Sequence, residues 1–399
     1  MKLKALLIIA ILAAFTQEAA FAQTANAGNY IREGLDFYKK GNHNKAIESF
    51  LSAKTIFEKT GTQEHPLYSS TIDMLGKLFY DTGDYDKAEL YYLELKAIRE
   101  KLFGKEHPSY MDILIRLTYV YASLDDYEKA IKYALEIKTL QEKAFGKENP
   151  KYAETLNILG YLYAETENYN NAIQCYLEAL NIKEKFIWKN HPDYAATLND
   201  LCRLYLITND HINAERYLLE LKTIQENILG KKHHDYAVTI NNLGLLYVKM
   251  GNYVKAEPYL VELKSIIEKN PGKKHPEYAA ALNNLGMLYH LMGNYKKAES
   301  IYLEVKSIDE KTHGKNNPNY ATTLVNLGAT YYSMGNYSKT EKYFLEAIDI
   351  RKKTLGKENP DYIMLLEKLG ELYNSMNNGA KAEQYLLEAK TIRENASGN

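Results

Sequence analysis

Cysteine is almost missing from this sequence: of 399 residues only Cys175 and Cys202 are thiols, and they form no metal-spaced motif. A nucleophile elbow, an HExxH helix and a glycine-rich phosphate loop are missing as well, which removes the usual sequence marks of a serine hydrolase, a zinc protease and a nucleotide-binding enzyme. The chain therefore reads as no enzyme, with no cofactor and no metal site. An excess of one charge is missing too. Lysine and arginine number 50 against 51 aspartates and glutamates, a formal net charge of −1, which lacks the basic excess that nucleic-acid binding draws on. Nor is there a membrane-spanning run. The apolar stretch Ala5 to Phe15 rises about 16 Å as a helix, against a bilayer core of about 30 Å.

That short run has a setting of its own. Met1-Lys2-Leu3-Lys4 precedes it and Ala20-Phe21-Ala22 follows, which is the order of charged, apolar and small-residue regions in a secretory signal. The expectation is cleavage after Ala22, a mature chain from Gln23 without a membrane span, and a periplasmic or secreted protein. No cysteine follows the small residues, so a lipid anchor at the new terminus is not expected.

What the sequence has is a period. Tyr68, Tyr110, Tyr152, Tyr194, Tyr236, Tyr278, Tyr320 and Tyr362 stand 42 residues apart. Pro66, Pro108, Pro150, Pro192, Pro276, Pro318 and Pro360 keep the same beat two residues earlier, and His234 takes the one missing place. Gly34, Phe37, Tyr38 and Gly41 fall one period before Gly76, Phe79, Tyr80 and Gly83, which adds a repeat at the front. A fixed period of this size is the signature of units stacked side by side. The organisation expected is a signal peptide at 1–22 and one repeat domain at 23–399, with repeats near 27–62, 66–104, 108–146, 150–188, 192–230, 234–272, 276–314, 318–356 and 360–396.

Within a unit the apolar spacing is helical. Ile240, Leu243 and Tyr247 recur at i, i+3 and i+7, one stripe of a helix A. It opens at His-Pro or Asn-Pro, where proline suits the first turn and the preceding side chain caps free N–H groups. His65, His107, His191, His233 and His275 share that capping column, spaced two helices apart, roughly 20 Å, too far to share an ion. Helix A stops at Gly251-Asn252, and helix B runs from Tyr253 to about Lys269. Small residues mark where the helices approach: Gly76, Gly160, Gly244, Gly286, Gly328 and Gly370 on helix A, and Ala88, Ala130, Ala172, Ala214, Ala256, Ala298 and Ala382 on helix B. Thr118, Cys202 and Thr340 depart from these columns.

Leu-Gly-x-Leu-Tyr, then Gly-Asn-Tyr-x-Lys-Ala-Glu, Tyr-Leu-Glu and Gly-Lys-x-His-Pro together resemble the tetratricopeptide repeat, in the long form similar to that of kinesin light chains, over residues about 27–396. The resemblance implies an all-α fold, a right-handed α-solenoid (superhelix) of about nine helical hairpins in which helix A lines the concave surface.

The other regularities read as packing. Phe79, Tyr121, Tyr163, Tyr205, Tyr247, Tyr289, Tyr331 and Tyr373 lie on the core stripe. Lys96/Glu100, Lys138/Glu142, Lys222/Glu226, Lys264/Glu268, Lys306/Glu310 and Lys390/Glu394 read as a solvated face, worth a few tenths of a kcal/mol each at most. Cys175 and Cys202 read as two small buried thiols, with a disulfide as the alternative in an exported chain.

The anomaly is the other face of helix A. Val238, Asn241, Leu245 and Val248 lie there, as do Asn157 and Tyr161, Asn199 and Arg203, and Asn283 and Met287 in neighbouring repeats. A solvent face is ordinarily dense in lysine and glutamate. This one is apolar with an asparagine in four consecutive repeats. Two readings stand: packing between adjacent A helices, or a partner-binding groove in which carboxamides pair with a peptide backbone and Arg203 favours an acidic group on the ligand. The function expected is a non-catalytic exported scaffold binding a protein or extended peptide in the concave groove through Asn157, Asn199, Asn241, Asn283, Tyr161, Arg203, Leu245 and Met287. The alternative is a structural or self-assembling array, because the last helix, with Ala389, Ile392 and Arg393, has interior-type residues and no polar cap after it.

Overall fold

A computed structural model describes residues 26–186 and 189–397. The signal sequence expected at 1–22 lies outside the described residues. Among these, 18 α-helices and no strand occur. In order they are α1 at residues 26–39, then α2 (His43–Thr60), α3 (Pro66–Asp81), α4 (Tyr85–Phe103), α5 (Pro108–Ser123), α6 (Tyr127–Phe145), α7 (Pro150–Glu165), α8 (Tyr169–Phe186), α9 (Pro192–Ile207), α10 (His211–Ile228), α11 (His234–Lys249), α12 (Tyr253–Ile267), α13 (Pro276–Leu291), α14 (Tyr295–Thr312), α15 (Pro318–Ser333), α16 (Tyr337–Thr354), α17 (Pro360–Ser375) and α18 (Gly379–Ser397). Odd helices are the A helices and even ones the B helices, giving the expected nine hairpins. The described residues form two compact units, divided between residues 186 and 189. The first holds α1 to α8 and the second α9 to α18.

The punctuation works as the residues dictate. His233 Nδ1 accepts from Asp235 N at 3.2 Å, His65 Nδ1 from Leu67 N at 3.1 Å, and Asn149, Asn317 and Asn359 cap in the same way, each satisfying an orphan donor of helix A. Gly251 turns the chain at φ 71°, and Asn252 then caps α12 by accepting from Lys255 N at 3.2 Å. Asp125, Glu167, Asn209 and Asn377 hold the same left-handed position in their repeats at φ 56° to 58°, where a side chain costs conformational energy that glycine avoids. Helix B of the sixth repeat stops earlier than expected, at Ile267, and a single wide turn follows over Glu268–Gly272. Pro271 lacks the N–H that a continuing helix would need.

The two helices of a hairpin meet at the glycine column. A Cβ on Gly76 would stand 2.5 Å from the Tyr92 ring, and one on Gly286 would stand 2.8 Å from Tyr302, closer than packed atoms tolerate. Where the third repeat has Thr118 in this column, the facing register position on helix B is Ala134, and both are fully buried. The space given up on one helix is recovered on the other.

Both tyrosine columns are buried as rings and polar at their tips. In the first, Tyr236 Oη donates to Glu262 Oε1 at 3.0 Å, tying α11 to α12. The same bond recurs at Tyr110–Glu136, Tyr194–Glu220, Tyr278–Glu304, Tyr320–Glu346 and Tyr362–Glu388, at 3.0 to 3.3 Å. In the second column the partner belongs to the preceding repeat. Tyr247 Oη donates to Glu215 Oε1 of α10 at 2.6 Å. Lys255 Nζ of α12 lies 3.1 Å from the same carboxylate and 5.1 Å from the centre of the Tyr247 ring, and Tyr259 stacks on that ring at 5.7 Å. Glu89–Tyr121, Glu257–Tyr289 and Glu341–Tyr373 repeat the bond at 2.5 to 2.8 Å, and Glu299–Tyr331 repeats it too. The core-stripe expectation is met, but these tyrosines also join repeats through their hydroxyls.

Two sequence expectations change. Lys96 and Lys138 do not pair with Glu100 and Glu142. Their ammonium groups lie over the rings of Tyr110 and Tyr152 in the next repeat, 5.5 and 5.8 Å from the ring centres, a cation–π contact. Glu100 and Glu142 pair instead with Lys105 and Lys147 of the following turn at 3.4 and 3.3 Å. Lys222/Glu226, Lys306/Glu310 and Lys390/Glu394 meet as expected at 3.6, 4.0 and 3.8 Å. The second change concerns spacing, since neighbouring A helices touch directly. Asn284 Nδ2 of α13 donates to Asn241 Oδ1 of α11 at 2.7 Å, and Tyr332 of α15 meets Ser375 of α17 at 2.8 Å. Adjacent repeats are thus nearer on this face than a two-helix spacing implies. The histidine column still caps helices, and among the described residues no group of three or more histidine, cysteine, aspartate or glutamate side chains is placed to hold a metal.

Cys175 and Cys202 are free and buried. Burial raises the Cys175 thiol to about 11 and pushes Cys202 up as well, which leaves little thiolate for chemistry near neutral pH.

Candidate partner-binding face

The residues opposite the core stripe of helix A reach solvent to different degrees. In the first unit, Tyr161 of α7 is 44% exposed and Asn157 is half-buried. Tyr119 of α5, one period before Tyr161, is 47% exposed and belongs to the same surface; the sequence reading passed over it, although the period alone places it. In the second unit, Asn199 and Arg203 of α9 are exposed, while Asn241 and Leu245 of α11 and Asn283 and Met287 of α13 are half-buried.

The asparagines are not equivalent. Asn241 spends its oxygen on Asn284, so part of this column serves packing between A helices. The Asn283 oxygen is buried and meets no donor. Asn199 is the most open of the three in this unit, and Arg203 stands exposed one turn further along α9.

Three clefts open on the A helices of the second unit. The first, of 390 Å³, lies between α9 and α11 and is lined by Pro192, Ala195, Ala196, Asn199, Asp200, Gln225, Ile228, Leu229, His234, Asp235 and Val238. The second, of 180 Å³, lies between α11 and α13 and is lined by His234, Ala237, Val238, Asn241, Leu263, Ile267, Glu277, Ala280, Ala281 and Asn284. The third, of 260 Å³, lies toward the loops and is lined by Lys232, His233, His234, Ala237, Ile266, Ile267, Asn270, Pro271, His275 and Glu277. Asn199 and Asn241 line these clefts; Arg203, Leu245, Asn283 and Met287 do not.

His234 lines all three. It stands where the other repeats carry proline, its side chain is 64% exposed, and its Nδ1 lies 3.7 Å from Glu277 Oε1. The missed proline beat thus marks these clefts alongside Asn199 and Asn241 of the asparagine column. Gln225 at the base of the first cleft is buried and accepts from Thr239 Oγ1 at 2.7 Å, which holds α10 against α11 beneath it.

The sequence profile of the tetratricopeptide repeat matches residues 27–101, 109–185, 193–263, 237–311, 277–353 and 319–395. The chain belongs to the tetratricopeptide repeat family. None of the curated proteins compared with it matches. Among solved structures, the apo form of RapI is similar over 94% of this chain and 99% of its own, at 15% identity and a TM-score of 0.56. A Signal Transduction ATPase with Numerous Domains that carries a tetratricopeptide repeat sensor, from Pyrococcus horikoshii, is similar over 88% of this chain and 52% of its own, at 18% identity and a TM-score of 0.55. A putative kinesin light chain from Podosopora anserina, with nearly identical TPR-like repeats, is similar over 52% of this chain and 99% of its own, at 22% identity and a TM-score of 0.47. At these identities the likeness concerns the fold alone. No helix among the described residues is long and apolar enough to cross a membrane.

His233 is extended, at φ −74° and ψ 144°, which suits a following proline. His234→Pro is therefore expected to stabilise the second unit by about 0.4–1 kcal/mol through the unfolded chain while removing the side chain common to the three clefts. Urea unfolding followed by circular dichroism checks this, and a clear destabilisation would mean that His234 makes contacts proline cannot replace.

Proposed function

We propose that the protein is a non-catalytic scaffold, exported through a cleaved signal peptide, that binds an extended peptide or protein segment on the A-helix face of its second unit. The observation that carries this reading is the run of adjoining clefts around His234, apolar in their walls and provided with the carboxamides of Asn199 and Asn241. Such a mixture suits an extended chain, whose backbone needs donors and acceptors while its side chains need apolar room. Contiguous open apolar surface of this kind commonly marks a binding face. On α7 of the first unit, Asn157 and Tyr161 offer corresponding positions.

Affinity capture from the exported fraction of the host tests the face. Ala196 and Ala280 are exposed cleft residues, so Ala196→Phe with Ala280→Phe should fill the clefts and leave the circular dichroism spectrum intact. The protein captured by the unaltered scaffold should be lost by the variant. Equal capture by both would move the surface elsewhere. Export has its own check: amino-terminal sequencing of protein recovered from the host should begin at Gln23, and an intact Met1 would contradict cleavage.

A further inference from the structure

We infer that the junction between α14 and α15 is a pH-sensitive joint, closed tightly while the Asp309 carboxyl carries a proton and loosened when that proton leaves. Asp309 stands on α14 two periods after Gln225 and four after Gln141. At those earlier positions a neutral carboxamide accepts from the threonine of the next helix A, Thr155 Oγ1 to Gln141 Oε1 at 2.8 Å and Thr239 Oγ1 to Gln225 Oε1 at 2.7 Å. The seventh repeat replaces the carboxamide by an acid, and the eighth keeps the threonine. Thr323 Oγ1 of α15 lies 2.8 Å from Asp309 Oδ2.

Asp309 is 3% exposed, and a buried carboxylate is costly unless donors serve it well. Among the described residues Thr323 is its one hydrogen-bond partner. That hydroxyl also lies 3.2 Å from Asn319 O, and a hydroxyl has a single proton to give. An ionised Asp309 therefore competes with Asn319 for one donor. A protonated Asp309 instead donates to Thr323 Oγ1, which turns its own proton to Asn319 O, so that both contacts are made. Burial accordingly raises the Asp309 carboxyl, against the opposite pull of the Thr323 bond and of His313. His313, one turn along α14, is exposed, so solvent screens it. Among the described residues α13 and α15, the helices packed against α14, present no other charged or titratable group to Asp309. A carboxyl raised in the folded chain stabilises it fully below the unfolded-state value of about 3.9, and this contribution is lost as pH rises through the folded value. The bond from Tyr247 responds in the opposite sense, because Glu215 is lowered. Acid thus tightens one joint while it weakens the other.

Asp309→Asn makes the side chain permanently neutral and tests the joint. Hydrogen exchange in α14 and α15 should be slower in the variant than in the unaltered protein at neutral pH, and its urea midpoint higher, with both differences closing as the solution is acidified toward about pH 4. Between the unfolded and folded values the ratio of exchange rates should change by up to about tenfold per pH unit. Distant acidic groups act alike in both proteins and cancel in the comparison. A second measurement needs no variant: the Asp309 carboxyl of the unaltered protein, followed by carbon-13 NMR, should titrate above the ordinary aspartate range. A ratio indifferent to pH, a variant less protected at neutral pH, or a carboxyl that titrates at or below the ordinary range would overturn the joint.

Discussion

A tyrosine hydroxyl buried beside a glutamate joins one repeat to the next, and the stacking of repeats depends on it. The rings of Tyr247, Tyr289, Tyr331 and Tyr373 fill the core of their own hairpins, while their hydroxyls bond Glu215, Glu257, Glu299 and Glu341 of the hairpin before. A repeat cannot bury its apolar face alone, so its stability lies largely in such interfaces. Apolar contact supplies most of the energy but little direction; a charge-assisted bond adds geometric definition. The bond also fixes register, because a one-position slip would leave a carboxylate beside apolar side chains with no donor, a costly arrangement. Within the first unit the junction ahead of Tyr163 has Ile131 at the glutamate position, and there packing is joined by the buried bond from Thr155 Oγ1 of α7 to Gln141 Oε1 of α6 at 2.8 Å.

These bonds and the glycine contacts occupy the side of helix A that faces helix B. The opposite side is left open to variation. It carries departures from the repeat: His234 in place of proline, and Asp200 where the next repeats have Asn242 and Asn284. A cleft forms where a repeated surface is interrupted, since identical units pack alike and leave alike surfaces.

Much of the fold was legible in the sequence because a 42-residue period fixes many things at once. Helix count, hairpin boundaries, histidine caps and the close-approach glycines all follow from columns. The polar role of the tyrosines was not legible. A tyrosine at an apolar helical position looks like any core aromatic, and the glutamate it bonds lies 32 residues earlier on another helix. The Lys96/Glu100 and Lys138/Glu142 pairs failed for a related reason, since spacing along one helix says nothing about a ring offered by the next repeat. The candidate site was half legible. Columns place Asn199 and Asn241 on the face where the clefts open, but they make all the asparagines equal. Which carboxamide is consumed by the neighbouring helix depends on how closely the A helices approach, and the period does not state that distance.

The most direct test of this account is a double-mutant cycle on Glu215 and Tyr247. The bond from Tyr247, opposed by partial burial and aided by Lys255, holds the Glu215 carboxyl below its ordinary range. Its stabilisation is therefore present above the unfolded-state carboxyl pKa and is lost as pH falls through the lowered folded value. At neutral pH, Glu215→Gln and Tyr247→Phe should show a coupling of about 1–2 kcal/mol in urea unfolding, with matching loss of hydrogen-exchange protection in α10 and α11. The coupling should shrink as the solution is acidified. Additive effects of the two changes, or a coupling indifferent to pH, would contradict the claim that this bond joins the repeats.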